Sequence, residues 1–285
     1  MTQRRLIVSA DDFGIAPEVN AAVERAHRDG VLTNASLMVT GGAAADAVAV
    51  ARRLPALGVG LHLVLAQGRP AAPHGRIPRL VRAGGSFSDS PVASGLRFAW
   101  LSVARRGAAE LRSEIEAQLD AFVRTGLVPS HVDGHLNLHL HPVILRILID
   151  LAPRYGVRAM RLPCEPLLRA IRYDRRHVVR RTAEGAVFAA LARHGAAGIA
   201  VPRRVYGMHH TGQVDGRYLR TLLAELPAGT SEVYCHPSTA PSPVLARHQR
   251  DYANARELAA LTDPETRAVA QAAGVELVSY HALAA

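Results

Sequence analysis

Apolar residues alternate along this chain between two spacings, the short runs typical of β-strands and longer stretches with the period of a helix. The first run covers residues 6–10. Pro17 follows it and opens a stretch whose apolar side chains predict one buried helical face, ending at Gly30. The same two patterns return later in the chain. We predict strands at residues 36–40, 58–62, 159–162, 232–235 and 275–279, and helices at 43–54, 110–124, 143–155, 217–225 and on both sides of Thr262.

This alternation predicts the fold class. Strands that alternate with helices form a parallel sheet, here closed or nearly closed into a single α/β barrel. We expect one domain over residues 1–285. Residues 165–212 show no clear pattern, so the bounds of elements there cannot be predicted.

One long insertion interrupts the alternation at about residues 66–106. Its first part is rich in Pro, Gly and Arg, and its second part contains Phe98 and the single tryptophan, Trp100. The simpler interpretation of the second part is a helix packed on the barrel. The functional interpretation is a lid, or a patch that receives a lipid-linked sugar with arginines near the lipid headgroups.

Composition removes several chemical mechanisms. Apolar residues make up 49% of the 285 residues, which is enough for a sizeable core. All 34 basic residues are arginine. A chain without lysine cannot use a Schiff-base or carboxylated lysine, and it cannot form a Walker-type phosphate loop.

The formal net charge of +10 favours a solvated basic face, with an anionic membrane surface or an acidic substrate as the next alternative. Specific nucleic-acid recognition ranks third, because aromatic residues are 5% of the chain and no DNA-binding motif is present. Cys164 and Cys235 are too few for a disulfide scaffold and predict reduced thiols. With no signal-like or membrane-spanning stretch, we expect a soluble cytoplasmic protein, with the inner face of the membrane as a further location.

Metal-capable side chains follow four of the strand-like runs. They are Asp11 and Asp12; His62; His131, Asp133, His135 and His139; and His236. The carboxyl ends of parallel barrel strands share one face, so these groups are expected to converge there. Alone, the Asp pair could cap a turn and a single His could be structural. The dense group from His131 onward favours a metal or acid–base site. His209 and His210 could line a groove, although solvent exposure is the stronger expectation.

Such a set suits hydrolysis. One carboxylate and two imidazoles can hold a divalent ion and leave room for water and a substrate carbonyl. A second carboxylate can take the proton of that water, and an imidazole opposite can return a proton to a leaving amine.

The motifs ADDFG at 10–14, GLHL at 60–63, SHVDGHLNLH at 130–139 and CHP at 235–237 resemble the YdjC-like (chitooligosaccharide deacetylase) family of carbohydrate deacetylases. They occur in the family's order. HVDGHLNLHLHP and RLPCEPLL look most like its hopanoid-biosynthesis-associated branch. The resemblance implies an irregular TIM-like (β/α) barrel that removes acetyl from an N-acetylglucosamine-type sugar, carried in that branch on a hopanoid glycolipid.

The resemblance also implies residue roles. Asp12, His62 and His135 would be the metal ligands, with Asp11 as general base and His236 as general acid. His131, Asp133 and His139 would orient an imidazole or line the sugar site. Zinc is the favoured ion, with magnesium, nickel, cobalt, iron and manganese as alternatives.

Two other functions stay open at this point. One is a different metal-dependent enzyme on a TIM-like barrel, such as a sugar isomerase or a phosphoesterase. The other is a basic membrane-binding or nucleic-acid-binding protein without catalysis, which would leave the ordered Asp and His groups without a purpose.

Overall fold

The computed structural model describes residues 3–103, 105–162, 165 and 198–283; Cys164 lies outside them. Seven strands form one sheet in the described part of the chain. The strands are β1 Arg4–Phe13, β2 Asn34–Leu37, β3 Gly58–Leu63, β4 Val132–Gly134, β5 Arg204–Tyr206, β6 Gly229–Cys235 and β7 Val275–Leu277. The helices are α1 Pro17–Asp29, α2 Ala44–Arg52, α3 Pro91–Val103, α4 Arg105–Arg124, α5 Pro142–Leu151, α6 Gly216–Ala224, α7 Pro243–His248, α8 Asn254–Thr262 and α9 Pro264–Ala272.

The sheet runs in the order β4-β3-β2-β1-β6-β5, and every pairing between its strands is parallel. β6 lies along one edge of β1, while β2 and β7 share the other edge. Single bridges from Val132 to Met160, and from Ala159 to Ala200, extend the sheet beyond β4. The sheet therefore curls around its core as an irregular TIM-like barrel, as the sequence predicts.

The apolar spacings explain the helices. α1 begins at Pro17, buries Val19, Ala22, Val23 and Ala26, and ends before Gly30, as predicted. A side chain at Gly30 would overlap the carbonyl of Leu261, so glycine is required where α1 meets α8. β1 is buried on both faces from Leu6 onward, because the barrel core covers one face and helices cover the other.

Four segments differ from the prediction. β4 covers only Val132–Gly134, so the histidine-rich group surrounds this strand instead of following it. Residues 159 and 160 form isolated bridges instead of a strand. β5 and α7 were not predicted, because three and six residues are too short to show a period.

The inserted segment contains α3, which packs on α4 and on the segment His135–Leu140. α3 buries Ser94, Phe98 and Leu101. The Phe98 ring meets the ring of His141 edge to face at 5.7 Å. Trp100 lies on the opposite side of the helix and is exposed. Among the described residues, no helix has the length and apolar character needed to cross a membrane.

Candidate active site

The end of β1 presents two adjacent carboxylates to one site. Successive side chains of a regular strand point to opposite faces. Here the pairing of β1 with β2 shifts between Ala10 and Phe13, and Asp12 has a φ of 61°. This irregularity re-aims the side chains, as bulges near active sites do. Asp11 and Asp12 are therefore both buried and both contact site residues.

Two imidazoles converge on Asp12. Its Oδ1 lies 3.3 Å from His62 Nε2 and 2.9 Å from His135 Nδ1. One ligand atom from each of the three side chains can be chosen so that all lie within 4.8 Å of one another. His62 comes from β3, and His135 opens the turn after β4. That turn holds Leu136 and Asn137 at φ values of 57° and 56°, a conformation that is uncommon for leucine and occurs most often at functional sites.

His62 is held from behind by Asp133. The Nδ1 of His62 lies 2.7 Å from Asp133 Oδ1, and Ser36 donates to Asp133 Oδ2 at 2.8 Å. Burial opposes a charged ring at His62, but Asp133 and Asp12 outweigh burial and raise the pKa of His62 to about 10. Burial also opposes ionisation of Asp12, yet the neighbouring imidazoles hold the pKa of its carboxyl well below the usual value. The site thus favours ionised carboxylates beside a positive charge.

Arg161 links the carboxylates of the site. Its fully buried guanidinium donates to both oxygens of Asp11, at 2.7 and 2.8 Å, and lies 2.7 Å from Asp133 Oδ2. It also donates to Glu232. The Glu232 carboxylate accepts hydrogen bonds from the hydroxyls of Ser9 and Tyr280, at 2.6 Å each.

Sequence reasoning missed both Arg161 and Glu232. Because Arg161 is one of 34 arginines, the sequence does not distinguish it from the others. A glutamate inside the apolar strand β6 was a usable signal, because a buried charge needs a partner.

His236 directly follows β6 and faces Asp11, with its Nε2 4.0 Å from Asp11 Oδ2. Burial lowers the pKa of His236, and the nearby carboxylates offset this only in part. Its Nδ1 is buried and has no hydrogen-bond partner in the described structure. Its backbone N–H donates to Glu257, a carboxyl whose pKa burial raises to about 8.

A chain of amides joins Asp12 to His236. Gln249 donates from Nε2 to Asp12 Oδ2 at 2.6 Å. Asn254 donates to Gln249 Oε1 at 2.7 Å and to the carbonyl of His236 at 2.6 Å. Gln249 directly follows the short helix α7, and nothing in the sequence marks it as part of the site.

The two remaining candidate histidines lie behind the site. His131 stacks on Tyr280 with ring centres 4.1 Å apart, and its Nε2 is 3.7 Å from Asp133 Oδ2. His139 donates from Nε2 to the carbonyl of Arg161 at 2.8 Å, and burial lowers the pKa of His139 to about 4. Both are placed to orient other side chains of the site.

The expectation that His209 and His210 are solvent-exposed is wrong. Both are buried. The backbone N–H of His209 donates to Glu165 at 2.9 Å, and the His210 ring packs on Tyr218 with centres 4.4 Å apart. A consecutive polar pair in a region without periodicity gave no signal of this burial.

A cavity of about 590 Å³ lies at the carboxyl ends of β1, β2 and β3. Its lining is mixed: Ile15, Met38, Val64 and Val244 are apolar, Thr40, Gln67 and Arg69 are polar, and the rest is glycine.

Comparisons with known proteins identify the family of this chain. A family model described as YdjC-like protein matches residues 5–272. A carbohydrate deacetylase of Geobacillus stearothermophilus is 34% identical over 278 residues, which covers 97% of each chain. A chitooligosaccharide deacetylase of Enterobacter sp. (strain 638) is 37% identical over 161 residues, covering 55% of this chain and 58% of that protein. A crystal structure from Enterococcus faecalis V583, described as a candidate cellobiose-phosphate cleavage protein, shares the fold over 100% of both chains, with a TM-score of 0.75 and 24% identity.

Proposed function

Since this chain belongs to the YdjC-like protein family, we propose that it is a metal-dependent carbohydrate deacetylase that hydrolyses the N-acetyl group of an amino sugar. Full-length similarity to a carbohydrate deacetylase supports this reaction. The observation that carries the proposal is the convergence of His62 and His135 on one oxygen of Asp12, with Asp11 and His236 facing the same space.

A divalent ion fits between Asp12, His62 and His135. Two imidazole nitrogens and a carboxylate oxygen lie close enough to share one cation, and Asp133 and Gln249 orient two of the ligands from behind. A second group, Asp11 with His62 and Asp133, is equally compact. Both of its carboxylates already form ion pairs with Arg161, so the group around Asp12 is the better cation site.

We assign zinc to this site, because mixed nitrogen and oxygen ligands suit zinc. Nickel, cobalt, iron and manganese are the alternatives that a metal titration separates. Magnesium fits least, because it prefers ligands that are all oxygen.

Asp12, His62 and His135 would hold the divalent cation, which would supply a water of lowered pKa and polarise the acetamide carbonyl. Asp11 takes the proton of the attacking water. Arg161 fixes the plane of the Asp11 carboxylate through two hydrogen bonds, so each oxygen keeps a lone pair directed to the site.

His236 completes the proton transfer. Because burial lowers its pKa, the ring is mainly neutral before the reaction. His236 therefore takes up a proton during turnover and then gives it to the departing amine. Asp11, whose Oδ2 lies 4.0 Å from His236 Nε2, is the source of that proton. Water adds to the carbonyl carbon, the C–N bond breaks, and acetate and the free amine are the products.

The cavity at the carboxyl ends of β1, β2 and β3 suits the part of the substrate that does not react. Ile15, Met38, Val64 and Val244 offer contacts to an apolar group next to the sugar, while Thr40, Gln67 and Arg69 offer hydrogen bonds to polar groups beside it. With the motif resemblance, this supports an N-acetylglucosamine unit carried on a hopanoid glycolipid as the substrate.

Acetate release from N-acetylated sugars, free and lipid-linked, tests the proposal in the presence and absence of a chelator. We expect release that stops on chelation and returns with zinc. No acetate from any acetylated sugar, at any metal, would overturn it.

Asp11→Asn tests the role of the base. This variant keeps Asp12, His62 and His135, so it should bind zinc as the wild type does while its kcat falls at least 100-fold. Asp29→Asn, on the exposed end of α1, is the matched control. Lost zinc binding with unchanged turnover would contradict the assignment.

A further inference from the structure

One face of α3 is apolar and exposed. Residues 92, 96, 100 and 103 are spaced by four, four and three positions, so they form one stripe along the helix. Their exposed fractions are 72% for Val92, 70% for Leu96, 68% for Trp100 and 88% for Val103. The opposite face of the helix packs on the protein through Phe98 and Leu101. The exposed stripe therefore contributes little to the packing of α3 on the protein.

Arginines border this stripe. Arg97 flanks it on α3, and Arg105 and Arg106 follow where α4 begins; all three are exposed. Arg106 also lines a surface depression of about 560 Å³, together with Arg76 and Arg79.

The charge of the depression is positive. Its one acidic lining residue, Glu110, is nearly buried and already paired with Arg79 at 3.0 Å.

We propose that the stripe and these arginines form a docking surface for an anionic phospholipid membrane. Apolar and tryptophan side chains enter the boundary between headgroups and acyl chains, and arginines beside them attract lipid phosphates. α3 contains no acidic residue and the whole chain carries +10. Pairing the stripe with a second copy of this chain would bring like charges together, so charge complementarity favours the lipid surface.

The docking surface is connected to the candidate active site. Phe98, on the buried side of α3, touches His141, which directly follows the segment His135–Leu140. A membrane-bound α3 would hold that side of the barrel against the lipid. The proposal goes beyond deacetylation and can be tested without any substrate.

Trp100 is the single tryptophan, so its fluorescence reports on the stripe alone. We expect the emission of the full-length protein to shift to the blue with vesicles of phosphatidylcholine and phosphatidylglycerol at 7:3. Brominated acyl chains should quench it, and 500 mM NaCl should weaken the binding. Pure phosphatidylcholine should bind at least tenfold more weakly.

Two variants separate the apolar and charged contributions while keeping the reporter. Leu96→Ser with Val103→Ser removes apolar area from the stripe, and Arg105→Glu with Arg106→Glu reverses the charge. Each pair should lower vesicle affinity at least tenfold. For the charge reversal, the reason is that one cation near an anionic surface is worth roughly a fivefold change in affinity.

Matched controls are Val123→Ser with Val128→Ser, exposed at 50% and 71%, and Arg217→Glu with Arg256→Glu. Both should bind as the wild type does, and circular dichroism should show all four pairs folded.

Three results would each overturn the proposal: no shift with anionic vesicles, equal binding to neutral vesicles, or equal loss in the controls. A change in oligomeric state, with vesicle binding unchanged by the stripe variants, would also overturn it and assign the stripe to a second copy of the chain.

Discussion

At the scale of single residues, Arg161 holds the candidate site together. Its guanidinium is fully buried and forms ion pairs with Asp11, Asp133 and Glu232. Removing one partner of a buried ion pair leaves an uncompensated charge, which is far more costly than losing an exposed pair.

We therefore expect Arg161→Met to lower the free energy of unfolding by roughly 3–5 kcal/mol in urea titrations. Arg158→Met changes an exposed arginine three positions earlier and should alter it by less than about 0.5 kcal/mol. Similar stability of the two variants would mean that the three carboxylates do not depend on Arg161.

His139 makes stability depend on pH. Because burial lowers its pKa to about 4 from an ordinary 6.5, the folded protein holds the ring neutral while the unfolded chain protonates it. This contribution is complete above pH 6.5 and is lost as the pH falls toward 4, by about 3 kcal/mol.

His139→Gln should therefore lose less stability than the wild type between pH 7.5 and pH 4.5 in urea titrations. The exposed His74, changed to Gln, serves as the control and should follow the wild type. Parallel curves for His139→Gln and the wild type would exclude this titration.

At the scale of elements, the sequence predicts the helices and strands that are long enough to show an apolar period, and their order along the chain. α1 and the strand ends at Asp11, His62 and His236 were located because apolar runs precede the polar groups. The parallel sheet then brings those groups to one face of the barrel.

What the sequence does not reveal depends on contacts between distant segments. β5 and α7 are too short for a period, and Arg161 and Gln249 gain their roles only from partners 150 and 237 positions away. The irregular end of β1 is likewise set by its pairing with β2.

The close approach of β3 to His131, just before β4, requires a small residue at position 60. A side chain at Gly60 would overlap the ring and the carbonyl of His131. Gly60→Ala should therefore destabilise the protein by roughly 1–3 kcal/mol, as overpacking does, and should weaken zinc binding because His62 lies two residues further on.

Gly75→Ala is the control, since no atom lies within 4 Å of the added group. Thermal unfolding and zinc titration measure both effects. Wild-type behaviour of Gly60→Ala would show that the two strands can move apart freely.

At the scale of the whole molecule, a cation at Asp12, His62 and His135 would join β1, β3 and the turn after β4. An ion that binds only the folded state stabilises the entire barrel, by about 2.7 kcal/mol at a hundredfold excess over its Kd. We expect zinc to raise the Tm and a chelator to reverse the change.

Asp12→Asn should lose most of that increase, whereas the exposed Asp29→Asn should keep it. Differential scanning calorimetry with and without zinc measures both. An equal increase in the two variants would place the bound ion elsewhere.

The left-handed backbone at Asp12 restricts which amino acids can replace it during evolution. The site needs a short side chain ending in a charged oxygen, and the backbone needs a residue that tolerates a positive φ. Asparagine meets the second demand and fails the first, while glutamate keeps the charge but is longer and disfavours this backbone. Substitution at this position is therefore strongly disfavoured, and sequence variation in descendants of this protein should fall at positions away from the site.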